Sequence, residues 1–582
     1  MSYIGNMPPT LPESARRWLN HFHARLSARL HPATGFTYQP EPRSIGMLAR
    51  GRQLLAGNFQ FAGHLIEAPD TMIWDLPRPC RKFEEELHGF AWLDDLAAVG
   101  DAKACQRAQE WTFEWIRRYG RGRGVGWSPA LTGRRLIRWI NHAIFLLNGQ
   151  PSAASRAYFR SLGQQTIFLA RRWEAANPGL PRFEALCGLI YAGLALMGME
   201  RHVIPAMKGL ARECAGQIDE NGGIPTRNPE ELLEVLTYLI WAASALSSAG
   251  RMTERAHLEA IERIAPTLRA LRHGDGSLAR FHGGDRGLEG RLELALAASG
   301  VRGQIATGLP MGYARLHGGR TTVIIDASPP PTGRASYGAH ASTLAFEMTS
   351  GRRPVIVNCG SGAAFGEEWW KAGRATPSHS TLVIEGVSSS RLGRGRRAGM
   401  LVDIPTHVPL QQHSGPEGTS LHAAHDGYVS THGLTHARRL KLSFDGAALH
   451  GEDTLATVSD LHRRQFDKAM DRERLLGIAG SLRFHLHPDV DAEIDMNGKA
   501  VSLVLRSGEI WVFRYRGRAD LRLEPSVYLE KGRLKPRAAK QMVLSWRLFD
   551  YAMRIHWSFT KGKSCPVHVR DLERDDGLNE TE

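Results

Sequence analysis

The spacing of apolar residues changes once along the chain, near residue 300, and this change restricts the possible folds more than any other feature. Before it, apolar side chains recur at helical spacing. In residues 12–30, one such stripe contains Ala15, Trp18, Leu19, Phe22, Leu26 and Leu30. Similar stripes occupy residues 83–96, 104–118, 132–147, 153–173, 183–197, 229–246 and 255–271. Helices joined by short links pack as hairpins, so residues 1–300 are predicted to form an α/α toroid or a solenoid of helical hairpins.

After residue 300 the apolar residues alternate as they do in strands. The segment GYARLHGGRTTVIIDA contains two alternating runs around a Gly-Gly turn, and Asn497-Gly498 is a hairpin signal inside a later meander. These runs predict that residues 301–582 form an antiparallel β-sandwich, with the helical part ending between residues 290 and 315. The predicted fold class is therefore α+β, with one domain in residues 1–300 and a second in residues 301–582.

The charge of the 582-residue chain favours a polyanionic partner. Its formal net charge is +15 and its isoelectric point is near 9.7, which suits nucleic acid, anionic lipid or acidic polysaccharide. The alternative is an ordinary surface on which arginine replaces lysine. Two Gly-rich segments concentrate arginine, RRYGRGRG (117–124) and RLGRGRRAG (391–399). No nucleic-acid-binding motif accompanies them, so nucleic acid is not expected as the partner.

Other sequence signals limit the class of protein. No run of about 18 apolar residues predicts a transmembrane segment. The six cysteines are scattered without a CxxC pair, so neither a zinc ribbon nor a disulfide framework is expected, and most should be buried thiols. The first residues show no export signal, which favours the cytoplasm. The oligomeric state is left open.

Three motifs in the second half resemble the heparinase II/III family of polysaccharide lyases. They are YGAHASTLAFEMTSGRRPVIVNCGSG (337–362), WWKAGRATPSHSTLVIEG (369–386) and HDGYVSTHGLTHARRLKLSFDGAALHGED, which starts at His425. The resemblance spans about residues 80–570 and implies a helical toroid followed by a β-sandwich. It also implies an acidic polysaccharide or oligosaccharide as the partner, and a place in the cell envelope or periplasm. The location therefore stays open.

The resemblance also implies a metal position in the sandwich. In metal-binding members a histidine, an aspartate and a second histidine hold zinc, and the matching residues here are His340, Asn358 and His379. A neutral amide oxygen is a weaker zinc ligand than a carboxylate, so no cofactor is certain and zinc binding is one of three roles open to His379. Ser342 also replaces an aspartate of the family pattern. Without a metal, His379 would act by hydrogen bonding or would transfer a proton directly.

Lyases of this family cleave uronate-containing glycans by β-elimination, and two of their catalytic positions differ here. Where the family carries Asn-His on a toroid helix, this chain has Pro181-Arg182, and where it carries a tyrosine, this chain has Glu231. We expect Arg182 to clamp a uronate carboxylate and Glu231 to act as base, unless Glu231 is a solvated residue of a helix start. Tyr337, three residues before His340, could serve as acid or base, and His340 completes the expected catalytic set.

A further set of residues is expected to bind substrate in a cleft between the two domains. It comprises Arg227, Asn228, Trp369, Trp370, His282 and Arg286. Tryptophans can stack on sugar faces, although they are more often core residues. Asn228 precedes Pro229 and can equally be a helix N-cap.

Three functions follow from these residues. The first is a carbon–oxygen lyase acting on an acidic glycan. The second is a catalytically altered protein of the same fold that binds glycans or serves polysaccharide assembly. The third is a glycoside hydrolase that pairs Glu231 with Glu184 or Asp219, since helical toroids also carry carboxylate-pair enzymes.

Overall fold

Helices predominate in the first half of the chain and strands in the second in a computed structural model, which describes residues 12–30, 33–303 and 305–562. The α-helices are α1 (Glu13–Ser27), α2 (Leu48–Leu55), α3 (Arg81–Gly89), α4 (Ala91–Val99), α5 (Ala102–Tyr119), α6 (Pro129–Asn141), α7 (Ala143–Leu147), α8 (Ser152–Arg172), α9 (Leu180–Ala195), α10 (Val203–Gln217), α11 (Pro229–Ser248), α12 (Arg255–Ala270), α13 (Arg291–Ala298), α14 (Glu367–Arg374), α15 (Val429–His432) and α16 (Asp460–Arg472). The predicted fold class is confirmed.

The strands are β1 (Asn58–Phe61), β2 (His64–Glu67), β3 (Tyr313–Gly318), β4 (Thr321–Asp326), β5 (Phe346–Ser350), β6 (Arg353–Val357), β7 (Leu382–Ile384), β8 (Arg391–Leu392), β9 (Leu401–Val402), β10 (Leu410–Gly415), β11 (Gly418–Tyr428), β12 (Leu434–Ser443), β13 (Ala448–Ala456), β14 (Ile478–Leu486), β15 (Val490–Asp495), β16 (Ala500–Leu505), β17 (Ile510–Arg516), β18 (Asp520–Tyr528), β19 (Arg537–Leu548) and β20 (Ala552–Lys561). The β1–β2 hairpin lies inside the helical half and was not predicted from the sequence.

Two large antiparallel sheets form the sandwich. One has the order β10-β11-β12-β13-β20-β17-β16-β15, and the other has the order β18-β19-β14-β6-β5-β4-β3 with β7 paired to β14. Both predicted hairpins are present, since β3 pairs with β4 around the Gly-Gly turn and β15 pairs with β16 around Asn497 and Gly498. Alternate residues of β12 and β13 are buried, as expected for strands with one face against a core.

Aromatic residues from both sheets fill the centre of the sandwich. Phe346 of β5 stacks on Trp557 of β20 with ring centroids 5.7 Å apart, and Phe484 of β14 meets the edge of Trp557 at 4.9 Å. All three rings are buried. This packing fixes strands that carry the functional residues described below.

Two predicted helical stripes are each divided between two helices. The stripe of residues 83–96 is interrupted at Phe90, which adopts a left-handed conformation with φ of 59° between α3 and α4. The stripe of residues 132–147 is interrupted at His142 between α6 and α7. Helical spacing continues across each break, so the apolar pattern alone does not show where one helix ends and the next begins.

Helix α1 forms as predicted, but its apolar stripe faces solvent. Trp18 is 65 % exposed and Phe22 is 49 % exposed. The helix instead buries Asn20, Ala24 and Ser27, and α8 is its neighbour. Polar contacts fix this orientation: Gln164 donates to the backbone oxygen of Ala24, and Arg172 donates to Asn20; both distances are 3.0 Å.

Helices α6 and α9 approach each other closely through glycine. A Cβ atom on Gly133 would lie 2.2 Å from the backbone oxygen of Glu184, and a Cβ on Gly188 would lie 2.4 Å from the Cα of Gly133. No larger residue fits at either position without moving a helix backbone.

The chain forms two compact units that are interleaved in sequence. The first comprises the described residues up to Asp219 together with Glu234–Arg263, and the second comprises Glu220–Leu233 together with the described residues from Ile264 onward. The change from helix to strand therefore lies inside the second unit. The structure divides the chain differently from a cut at residue 300.

The described residues contain no helix that combines the length and hydrophobicity needed to cross a bilayer. Of the cysteines, Cys187, Cys214 and Cys359 are buried, Cys80 and Cys105 are half-buried, and Cys565 lies outside the described residues; the five described thiols are free.

Candidate functional site

His340 and His379 are brought together inside the second unit. His340 follows a short 3-10 helix that ends at Tyr337, and His379 follows the turn Thr376–Ser378 that leads into β7. Both side chains are buried. Nδ1 of His340 lies 3.0 Å from Nε2 of His379, so the two rings form one hydrogen-bonded pair.

The hydrogen bonds fix the tautomers of the pair. His379 Nδ1 lies 2.9 Å from the backbone oxygen of Ala375, and a carbonyl oxygen can only accept, so Nδ1 carries the proton. Burial lowers the pKa of His379 to about 4 and holds the pKa of His340 well below its usual value. Both rings are therefore neutral near pH 7, Nε2 of His379 accepts from Nδ1 of His340, and the lone pair of His340 Nε2 is left for another donor.

A buried aspartate links this pair to neighbouring elements. The backbone N–H of His340 donates to Nδ1 of His282 (3.1 Å), whose Nε2 lies 3.3 Å from Oδ2 of Asp326. Ser342 donates to the same oxygen at 2.6 Å, and Arg227 donates to Oδ1 at 2.5 Å. Burial alone would raise the pKa of Asp326, but the charge of Arg227 and the contact with His282 hold it below its usual range. The anionic carboxylate thus anchors the backbone around His340.

Asn358 is held in a separate hydrogen-bond network. Its Nδ2 donates to Glu347 (3.2 Å), and its Oδ1 accepts from the backbone N–H of Ser380 (3.0 Å). Glu347 also accepts from His273 Nε2 (3.1 Å) and from the backbone N–H of Arg280 (3.0 Å). Every polar atom of the Asn358 side chain is therefore already used.

These contacts bear on the zinc position that the family resemblance implied. The nitrogens of His340 and His379 that face each other share a hydrogen bond, and the amide oxygen of Asn358 accepts from a backbone N–H. Among the residues that the structure describes, no group of three or more His, Cys, Asp or Glu side chains could hold a metal ion. The residues in this arrangement do not fit zinc, which prefers charged or neutral donors with free lone pairs.

Arg227 and Asn228 fix the start of α11. All five N–H groups of Arg227 are used inside the protein: besides Asp326, they donate to the backbone oxygens of Met311, Gly312, Ser328 and Pro329. Asn228 Oδ1 accepts from the backbone N–H groups of Glu230 (3.0 Å) and Glu231 (3.1 Å), which is N-cap geometry. Glu231 itself is half-buried in the first turn of the helix. The structure thus gives both residues partners inside the protein: Arg227 binds oxygens from distant segments, and Asn228 caps its own helix.

Arg182 lies in the first unit and also has internal partners. It donates to Glu213 at 2.7 Å and to the backbone oxygens of Ala176 and Glu174. Glu184, from the same helix, is buried against Arg134 at 2.5 Å, and burial raises its pKa. A uronate could reach the Arg182 guanidinium only in competition with Glu213.

The aromatic residues of the motifs lie partly in solvent. Tyr337 is 47 % exposed and Trp369 is 37 % exposed, while Trp370 is half-buried with the guanidinium of Arg374 at 4.6 Å from its ring centroid. Arg286 is exposed, with its guanidinium 3.9 Å from Asp275. These side chains can meet a ligand without rearrangement of the core, whereas the buried rings of His282 and His340 cannot.

Sequence reasoning missed the residues that organise the site. Asp326, Glu347 and Arg374 carry the hydrogen-bond networks, but the motifs that contain them give none of the three a role. The available signal was chemical: a charged residue inside an otherwise apolar strand, as in TTVIID (321–326), requires a buried partner.

Comparisons with known proteins found a family model that matches the second half of the chain and a relative that matches nearly all of it. Residues 301–558 match the family model described as "Heparinase II/III-like, C-terminal". FtsZ-localized protein C of Caulobacter vibrioides (strain NA1000 / CB15N) is 32 % identical over 559 residues, which cover 94 % of this chain and 94 % of that protein.

Solved structures with the same fold include heparinase III, with a TM-score of 0.67 and 12 % identity over 94 % of this chain and 89 % of the other. Heparan sulfate lyase HepC from Pedobacter heparinus superposes with a TM-score of 0.55 and 15 % identity, over 95 % of this chain and 90 % of the other. At these identities the structures establish the fold.

Proposed function

Because the chain belongs to the heparinase II/III family, we propose that it recognises an acidic, uronate-containing polysaccharide and cleaves it by β-elimination. The observation that supports this most directly is the fixed tautomer of the His340–His379 pair. It presents the lone pair of His340 Nε2 as the one acceptor of the pair without a partner among the described residues.

The elimination needs three events at the sugar. A base takes the proton from the carbon beside the carboxylate, the electron pair forms a carbon–carbon double bond, and the glycosidic oxygen leaves and is protonated. We assign His340 Nε2 to proton acceptance, which requires the glycan to open the contacts that bury this ring. A bound uronate would then stabilise the imidazolium and raise its pKa. We assign the hydroxyl of the half-exposed Tyr337 to protonation of the leaving oxygen. Asp326 and His282 position His340 through its backbone.

The role of Arg182 as a uronate clamp and the role of Glu231 as an alternative base stay predictions. Arg182 would have to exchange Glu213 for the substrate carboxylate. Because zinc does not fit the observed hydrogen bonds, no step of this proposal uses a metal ion.

The test is a screen of polygalacturonate, alginate, hyaluronate and heparan sulfate for the ultraviolet absorbance of an unsaturated uronate. We expect wild-type protein to release such a product from at least one of these glycans. Tyr337→Phe and His340→Gln should each lower the rate about 10²- to 10⁴-fold. Tyr551→Phe, which alters another exposed tyrosine of the sandwich, is the matched control and should retain the rate. A folded Tyr337→Phe protein with wild-type rate would contradict the assignment.

A second candidate function is glycan binding without cleavage. It is supported by the residues at the two altered toroid positions, where Arg182 is engaged by Glu213 and Glu231 stands in place of a tyrosine. This function predicts saturable binding of an acidic glycan without new absorbance and without new reducing ends. New reducing ends without absorbance would instead indicate a hydrolase that pairs Glu231 with Glu184 or Asp219.

We also propose that the protein shares the location for which its relative is named. The similarity to FtsZ-localized protein C covers 94 % of both chains, so it includes both compact units. A fluorescent fusion expressed in the native organism should coincide with FtsZ. A distribution that is unchanged when FtsZ is depleted would contradict this proposal.

A further inference from the structure

The arginine-rich segment RLGRGRRAG folds into a compact hairpin, here called the arginine hairpin (residues 391–402). Strands β8 and β9 pair antiparallel at its base. Its tip is closed by backbone hydrogen bonds from Gly393 to Met400 (2.9 Å) and from Met400 to Arg397 (3.0 Å), around a 3-10 turn over Gly395–Arg397. The tip is therefore ordered by its own backbone and does not depend on a ligand for its shape.

The arginine hairpin is attached to the segment that carries Tyr337 and His340. The buried Arg374 donates to Gly399 O (2.8 Å), Ser336 O (2.7 Å) and Ala339 O (2.7 Å), so one guanidinium joins the hairpin to both sides of Tyr337. Gly399 also packs against aromatic rings: a Cβ there would lie 3.1 Å from Tyr337 and 3.3 Å from Trp370. The hairpin and the half-exposed aromatic residues form one continuous surface.

Three arginines on the tip have side chains with no internal role. Arg394, Arg396 and Arg397 are exposed, and none of their guanidinium groups has a hydrogen-bond or ion-pair partner among the residues that the structure describes. Arg391 at the base differs, because it pairs with Asp403 at 2.9 Å. Three neighbouring uncompensated guanidinium groups repel one another, so an anionic ligand would relieve this repulsion as well as gain bidentate hydrogen bonds.

We propose that the arginine hairpin is a binding site for the acidic groups of a glycan strand that also contacts Tyr337 and Trp370. This inference rests on the proposed recognition of an acidic polysaccharide and adds the surface that supplies its charge complementarity. Carboxylate and sulfate groups share the chemistry that guanidinium recognises. The hairpin contributes to affinity and orientation, while His340 and Tyr337 contribute to the reaction.

A glycan fits this surface better than nucleic acid does. Charge-driven binding to a duplex grows with the number of phosphates that lysine and arginine neutralise, whereas the hairpin offers only three arginines, beside two aromatic rings. A sugar ring can pack its C–H face on an aromatic side chain while its acidic group reaches an arginine a few ångströms away. The short hairpin therefore matches one or two acidic sugars.

The experiment compares two variants with the same local sequence change. Arg394→Ala/Arg396→Ala alters the Gly-Arg-Gly-Arg run of the hairpin, and Arg121→Ala/Arg123→Ala alters the same run, also exposed, in the first unit. Binding of labelled heparin and oligogalacturonate oligosaccharides is measured at two salt concentrations, with a DNA duplex of similar length as a third probe. Thermal unfolding verifies that each variant is folded.

We expect the hairpin variant to bind the glycan about tenfold more weakly than wild type and to show a flatter salt dependence, with the control variant within about twofold. A loss for both oligosaccharides indicates recognition of carboxylates, and a loss for heparin alone indicates recognition of sulfates. Equal losses in the two variants, or a loss for DNA alone, would overturn the inference. If wild-type protein binds no acidic glycan, the proposed function and this inference both fail. Wild-type affinity in the hairpin variant refutes only the role of the hairpin.

Discussion

His379 shows how burial and hydrogen bonding together set the chemistry of a single residue. Its ring is fully enclosed, its Nδ1 is tied to Ala375, and its Nε2 faces His340. A protonated imidazole would lose the acceptor that this pair requires and would be poorly solvated. The residue therefore contributes to stability as a neutral group, and protonation opposes folding.

This predicts a specific loss of stability in acid. The pKa of His379 falls from 6.5 to about 4 on folding. Between these values the unfolded chain binds a proton that the folded protein excludes, so the free energy of unfolding decreases as the pH is lowered from 6.5 to 4. His379 accounts for about 3 kcal/mol of that decrease. The measurement is urea denaturation at several pH values.

The variant His379→Gln should be less sensitive to acid than wild type across this range. His413→Gln, which changes an exposed histidine of β10, is the control and should keep the wild-type slope. Identical slopes in all three proteins would show that His379 is not protonated on unfolding in the way described.

Asn358→Asp should create a metal-dependent protein. The new carboxylate would lie beside Glu347, which is now 3.2 Å from the Asn358 amide nitrogen, and two buried like charges destabilise the fold. Zinc would neutralise this repulsion, because the new carboxylate would hold the ion together with His340 and His379. We expect zinc to raise the melting temperature of Asn358→Asp by several degrees and to change wild type little.

In the double variant Asn358→Asp/His379→Ala, zinc should no longer raise the melting temperature. Stoichiometric zinc in carefully purified wild-type protein, lost in His379→Ala, would instead show that the hydrogen-bonded arrangement is only one state of the site. Elemental analysis of the four proteins provides the measurement.

The elements show which parts of the fold the sequence could predict. Alternating runs and the Asn497-Gly498 turn located hairpins correctly, because register follows from a local pattern and a local turn. Helical stripes located helices but not the face that each one buries. In α1 the small residue Ala24 and the polar Asn20 lie against the protein while Trp18 lies in solvent, since hydrogen bonds from Gln164 and Arg172 decide the orientation. Such contacts join residues more than 100 positions apart and leave no local signal.

The sequence likewise predicted which residues of the site lie close together, but not the contacts that each of them makes. The motif resemblance predicted that His340 and His379 lie close together, and they do. The first motif contains β5 and β6, the second contains β7, and all three strands belong to the same sheet. The resemblance did not reveal that Arg227 donates all its N–H groups to oxygens of the protein. The number of internal acceptors around an arginine depends on loops that fold back from far along the chain, and no spacing rule describes them.

The contact between α6 and α9 gives a prediction at the scale of elements. Gly133→Ala places a methyl group 2.2 Å from the backbone oxygen of Glu184, so the helices must separate. We expect a loss of about 1–3 kcal/mol in the free energy of unfolding. Gly216→Ala in α10 is the matched control, because its Cβ meets no atom within 4 Å, and it should raise stability by about 0.5–1 kcal/mol. Chemical denaturation measures both, and equal effects would contradict the close approach.

At the scale of the whole molecule, the second unit depends on residues that precede the strands. His273, Arg280 and His282 lie before β3, yet they supply partners to Glu347 and Asp326. The region that matches the family model starts at residue 301 and leaves all three outside. The loop between α12 and α13, which carries these three residues, is therefore a structural part of the second unit.

Two truncated chains test this dependence. A fragment of residues 301–582 leaves Glu347 without its His273 partner, and removing one partner of a buried charge costs about 3–5 kcal/mol. A fragment of residues 264–582 retains that pair and should resist proteolysis and heat better than the shorter one. Equal melting temperatures for the two fragments would show that residues 264–300 add nothing to the stability of the unit.

The interleaving of the two units also has a consequence for synthesis on the ribosome. Arg227 belongs to the second unit, but its carboxylate partner Asp326 follows 99 residues later, after a return of the chain to the first unit. At translation rates of about 5–20 residues per second, Arg227 waits about 5–20 s for that partner. During this interval the nascent chain exposes a cationic loop next to a helix start that is only locally capped. Slower translation between Arg227 and Asp326 would therefore lengthen the period in which the unfinished protein can meet cellular polyanions.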